Sequence, residues 1–212
     1  MFFPKITFLT ALMMSSLAVA QAQTAADLFL TSKTPITYIG LDFSRAQLVG
    51  SSGFTDPIAI KSEYFGKWNQ LVLDEFEKYD IKKAFTKETV NFDLTPVEIV
   101  NENVDAAKMV IDKSATPLTQ NDLTVMAGSY DFKGVKDKVA LAFVVESFDK
   151  VSELATFHVV FVNTENNQII FTDKVTGEPR GFGLRNYWAG AFYDALENVR
   201  SKKMKMWKKS VQ

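Results

Sequence analysis

The side chains able to carry chemistry in this 212-residue chain are few: it holds one histidine and no cysteine. His158 lies in Phe157-His158-Val159-Val160-Phe161, on the strand face opposite Phe157, Val159 and Phe161, where a structural role is expected rather than a catalytic one. With one His and no Cys, the usual zinc ligand sets cannot be assembled, and thiol nucleophiles and disulfides are excluded. An elbow-type serine hydrolase needs G-x-S-x-G; Gly50-Ser51-Ser52-Gly53 lacks that spacing and reads as a turn. No D-x-[DN]-x-[DN]-G loop occurs, so the oxygen-rich stretch from Asn163 to Asn167 reads as a hairpin turn rather than a calcium loop. Asp74, Glu75, Glu77 and Asp80 crowd one segment, and paired acids are what glycoside hydrolysis uses. Their spacing places most of them on the wet side of a helix. No catalytic, metal-binding or cofactor-binding residue is expected.

Two segments offer contact chemistry instead. In Arg180-Gly181-Phe182-Gly183-Leu184-Arg185-Asn186-Tyr187-Trp188, two glycines precede a helix start, where free N–H groups and the Arg180 and Arg185 charges suit an anion. The third glycine of a dinucleotide fingerprint is missing. A tight strand-to-helix connection accounts for the same residues. The second segment is the tail, whose Lys202, Lys203, Lys205, Trp207, Lys208 and Lys209 mix basic and apolar side chains as a partner-docking or membrane-surface stretch does. If the tail serves association alone, removing Lys202 to Gln212 leaves the stability nearly unchanged.

The elements that position these segments follow from periodicity. Ile36 to Phe43 alternates as a strand, with Ile39, Leu41 and Phe43 on one face. Asp56-Pro57 opens a long helix expected to reach Lys83, its stripe formed by Tyr64, Trp68, Leu71, Val72, Phe76 and Tyr79. Thr89 to Leu94 reads as a strand with Val90, Phe92 and Leu94 inward, at an edge or broken because Pro96 follows. Asn103 and Asn121 are placed as caps of short helices. Lys138 to Phe148, Leu154 to Asn163 and Gln168 to Val175 are three apolar runs split by short breaks, an antiparallel meander. The first is apolar on both faces and belongs in the middle of a sheet. A final helix runs from Leu184 to Met206. The fold class is α+β, an α/β sandwich: a mixed sheet of about five strands with a C-terminal meander and two long helices packed on it.

Met1 to Gln23 has one positive charge at Lys5, an apolar run from Ile6 to Ala18 and a small-residue exit near Ala20, the pattern of a cleavable secretory signal peptide over residues 1–22. The rest, 23–212, is expected to form one domain ending in a basic tail over 200–212. Without Lys5 the net charge is −2; the tail carries +6, so the body between carries −8. An acidic body with a basic tail suits self-association, an acidic partner or an anionic lipid surface, and argues against nucleic acid. Hydrophobic content of 47 % with 18 Phe supports a packed core. The location expected is periplasmic or secreted, without a lipid anchor because no cysteine can carry one.

The order of elements over Ile36–Phe43, Val139–Val175 and Gly183–Val199 resembles the α/β modules of exported bacterial envelope accessory proteins. These are the lipoproteins of the curli-secretion and peptidoglycan-synthase-activator type and the N-terminal domain of the TolB type. A small exported family without an assigned activity fits the same order. The resemblance implies a non-enzymatic binding or assembly module of the cell envelope with a protein partner and, through the basic tail, weak membrane contact. The alternative is an exported hydrolase using a carboxylate or an unrecognised serine.

Overall fold

The computed structural model describes residues 24–212; the signal-peptide reading falls on residues 1–23, outside the described residues. Among the described residues seven strands form: β1 (Ile36–Asp42), β2 (Gln47–Val49), β3 (Val90–Phe92), β4 (Val110–Ile111), β5 (Val139–Asp149), β6 (Leu154–Asn163) and β7 (Ile169–Gly177). β5 pairs antiparallel with β6 from Val139 opposite Asn163 to Asp149 opposite Leu154, and β6 pairs antiparallel with β7. A strand has only two edges. Because β6 takes one edge of β5 throughout, β1 and β2 share the other end to end, both parallel to β5. β3 then flanks β1, and β4 flanks β2. The seven strands therefore run in five lanes, of which the outer two on the parallel side are broken midway. The expected mixed sheet and its antiparallel meander are both present.

The long helix breaks sooner than its periodicity predicts. An α turn Pro57–Ala59, a π turn Ile60–Tyr64 and an α stretch Phe65–Asp74 follow one another, and the chain then turns. The turn lets Tyr79 swing onto Phe192, 5.9 Å away, and leaves Phe76 62 % exposed instead of on the stripe. Asp80 caps a separate short helix, Ile81–Ala84. Phe92 is exposed rather than inward, and β3 ends there. Pro96 opens the helix Thr95–Glu102, since a first-turn proline forfeits no intrahelical bond. Asn103 therefore ends a helix instead of starting one. Thr119 caps Gln120–Gly128 in place of Asn121, through a reciprocal pair with Asp122. The last helix runs unbroken over 183–210 through a π turn at Val199–Lys203.

Both long helices cover one sheet face, where aromatic rings fill the core. Phe148 stacks on Trp188 at 4.5 Å and Phe43 on Phe65 at 4.1 Å. Each such ring contributes about 1.5–3 kcal/mol by burial. The other face is built of small side chains, Ala140, Ala142 and Val144, under Leu123, Met126 and Tyr130. The sequence alternation assigned β5 to these two faces correctly, but β1 differs. Its register slips at Gly40, so Ile39 joins the small-residue face while Tyr38, Leu41 and Phe43 join the aromatic one. Gly40 makes the slip possible with φ of 112°, and a Cβ there would lie 2.6 Å from Asn69 Oδ1. Among the described residues, no helix is long and apolar enough to cross a membrane.

Candidate functional site

The residues singled out in the sequence fall at two places along one helix. Arg180, Gly181, Gly183 and Arg185 surround its start; Lys202, Lys203, Lys205, Trp207, Lys208 and Lys209 lie on its last turns. At 1.5 Å per residue, Arg185 and Lys202 are roughly 25 Å apart, so the two groups form separate surfaces. At the start, Gly181 and Gly183 both take positive φ, 116° and 76°. The Arg180 guanidinium is held by Asp194 at 3.0 Å, and the Arg185 carbonyl accepts a 2.9 Å bond from Trp68 Nε1. Phe182 occupies the cap position, where Ser, Thr, Asp or Asn is preferred, and stands 95 % exposed.

The tail is sorted by face. Met204 and Trp207 are buried, Trp207 against Phe29, Phe85 and Phe171. Trp207 Nε1 and Lys203 Nζ both donate to Asp173 Oδ2, at 2.7 and 2.8 Å. Lys208 lies near the buried Lys87, whose ammonium donates to the carbonyls of Leu28 and Thr31; burial, aided by Lys208, pulls it down to about 8. Outward point Lys202, Lys205, Met206 and Lys209, at helical spacing on one stripe. The tail is therefore part of the core on one side and a basic surface on the other.

A groove that sequence reasoning did not single out opens where the outermost lane is broken. Between the end of β3 and the start of β4, the outward backbone groups of Leu41 and Phe43 have no strand beside them. Two carboxamides replace it. Asn69 Oδ1 accepts from Leu41 N at 2.6 Å and its Nδ2 donates to Leu41 O; Asn101 Oδ1 accepts from Phe43 N at 2.7 Å and its Nδ2 donates to Leu41 O. Both asparagines are buried. Above them lies a cavity of about 350 Å³ bounded by the π turn and by the Thr95–Glu102 helix, with Lys61, Phe65 and Gly66 on one side and Glu98 and Glu102 on the other. The signal available was Asn69, a polar residue set into an apolar stripe between Trp68 and Leu71.

His158 proves to be buried and hydrogen-bonded to a carboxylate. Its Nε2 lies 2.8 Å from Glu146 Oε2, Lys174 Nζ is 2.9 Å from Glu146 Oε1, and Leu118 N donates to the same carboxylate at 2.8 Å. Burial alone would raise the Glu146 pKa. The bonds from His158, Leu118 and Lys174, with the Lys174 charge, overcome this and hold it at about 2. Asp42, fully buried, has a raised pKa from burial although Tyr130 and Ser44 donate to it. Every oxygen of both carboxylates has a partner, Lys174 being the exposed one among them, and neither aims a free oxygen at the groove. Glu146 was legible only as a charge interrupting an apolar run.

No family model matches the chain, and no curated protein matches it. Solved structures give fold-level likenesses. The C-terminal domain of LpoB from Salmonella enterica is 7 % identical with a TM-score of 0.34, covering 73 % of this chain and 96 % of that one. Lipoprotein GNA1162 from Neisseria meningitidis is 10 % identical with a TM-score of 0.31, covering 84 % and 93 %. Both likenesses are weak, as was the resemblance carried by the order of elements.

Proposed function

We propose that this chain is an exported, non-enzymatic accessory module of the cell envelope that binds an acidic protein partner through the basic face of its last helix. The observation that supports this reading is the sorting of the tail: Trp207, Met204 and Lys203 anchor it, so that Lys202, Lys205, Met206 and Lys209 are presented on a fixed stripe. A pre-ordered basic face avoids the entropy cost of ordering a loose tail on binding. The Arg180–Arg185 corner with its exposed Phe182 is a second contact on the same helix. Weak contact with anionic lipid is secondary, because four residues bury too little apolar area to hold a bilayer alone.

Export is checked by N-terminal sequencing of the protein from its native compartment: a start near Gln21 or Gln23 is expected, and an intact Met1 ends the export reading. The partner surface is checked with the triple change Lys202→Glu, Lys205→Glu, Lys209→Glu. These side chains are exposed, so thermal stability should hold within about 0.5 kcal/mol per site. A photo-crosslinker at position 206 should join one protein through an acidic surface, with capture lost at high salt and cut at least about tenfold in the triple variant. Undiminished crosslinking in that variant, or crosslinks to lipid alone, would reject the basic face as a protein-docking surface.

A further inference from the structure

We infer that the groove over Asn69 and Asn101 is a peptide site that takes a short extended segment carrying a basic side chain. It is a different surface from the basic helix face and stands without it. Asn69 spans the N–H and C=O of Leu41, and Asn101 spans Leu41 O and Phe43 N, so the two carboxamides stand side by side along the end of β1 where a flanking strand would otherwise pair. A carboxamide has two N–H donors and two acceptor lone pairs. Asn69 and Asn101 each use one donor and one acceptor on β1. One of each remains on both side chains, which border the groove from below while nearly buried, 1 % and 6 % exposed.

The walls agree with an occupant. Gly66 lies within the α stretch Phe65–Asp74, where Ala would be the better helix former, and a Cβ there would meet nothing within 4 Å. Internal packing gives no reason for a glycine, whereas a side chain at that position would enter the groove. The π turn Ile60–Tyr64 forms the adjoining wall, and such turns recur at functional sites. Charge sets the preference. Lys61 Nζ is committed to the carbonyls of Glu102 and Val104, at 2.7 and 2.6 Å. Glu98 and Glu102, one turn apart at the mouth, have no ion-pair partner among the described residues. With the Lys61 charge set against those of Glu98 and Glu102, the groove carries a net charge of −1, the Lys61 donors being already turned to backbone carbonyls, and a cavity of about 350 Å³ suits two or three residues of peptide.

The test is an NMR titration of the 15N-labelled protein with acetyl-Ala-Lys-Ala-amide and, separately, acetyl-Ala-Glu-Ala-amide, each to about 10 mM. The lysine peptide should shift the Asn69 and Asn101 side-chain amide resonances, with an affinity at least about tenfold above that of the glutamate peptide. Gly66→Val should abolish these shifts while the rest of the spectrum stays native, and Glu98→Gln with Glu102→Gln should remove or reverse the preference for the lysine peptide. If the amide resonances stay still, respond equally to both peptides, or move more with N-acetylglucosamine, the proposal is overturned.

Discussion

Replacing Trp207 by alanine should lower the unfolding free energy by about 3–5 kcal/mol, the range for truncating a buried large aromatic. The indole is 4 % exposed, lies within 5.1–6.3 Å of the rings of Phe29, Phe171 and Phe85, and donates to Asp173. Alanine would leave a cavity between three rings and remove one of the two side-chain donors to Asp173 Oδ2. Trp207→Phe keeps much of the ring contact and loses the bond, so its cost should be smaller, about 1–2 kcal/mol. Deleting residues 202–212 removes Met204 as well and should cost more than either point change. Urea unfolding of the three variants against the parent settles this. A loss under about 1 kcal/mol for Trp207→Ala would mean that the tail packs loosely, as the sequence reading allowed.

Glu146→Ala should be comparably damaging, at about 3–5 kcal/mol, because it leaves Lys174, His158 and the Leu118 amide without the acceptor they share. The same carboxylate gives stability a pH dependence of known sign. Its folded-state pKa is lowered from 4.5 to about 2, so the folded form holds the proton less readily than the unfolded chain. Its contribution is therefore present above about 4.5 and is lost as the pH falls towards 2. Asp42 works the other way: burial raises its pKa, and protonation on acidification relieves a cost. Comparing the parent with Glu146→Gln cancels Asp42, which both share. The stability gap should narrow as the pH drops from 4.5 towards 2, and parallel curves across that window would show that Glu146 is not the group responsible.

What was legible in the sequence is what depends on neighbours along the chain. The three apolar runs of the meander, the two-faced character of Val139 to Val145 and the last helix all follow from local periodicity. The failures share a different cause. Gly40 shifts the period of β1 by one residue, and that slip is supported by Asn69, 28 positions away on a helix. The helix stops at Asp74 because Tyr79 finds Phe192 and the Ala189 carbonyl, contacts no periodic pattern contains. Asn101 looks like a wet residue until the strand that should flank Leu41 is seen to be missing. Glu146 and His158 sit on adjacent strands as expected, but Lys174 and Leu118 complete their cluster from two other segments. Long-range polar pairing is what the sequence conceals here.

The contact between Phe29 and Trp207, 5.3 Å between rings, joins the first described helix to the last. Seen as a timetable rather than a contact, it orders the assembly of the molecule. A chain made from its N-terminus holds Phe29 and Phe85 without their shared partner until Trp207 has been delivered. Closing so long a loop comes late, because its entropy is lost before the rings meet. The β5–β6–β7 meander can form first from local turns, while the aromatic layer stays open at the Phe171 end until Trp207 arrives. The last turns of the helix thus act as a latch that closes the aromatic layer.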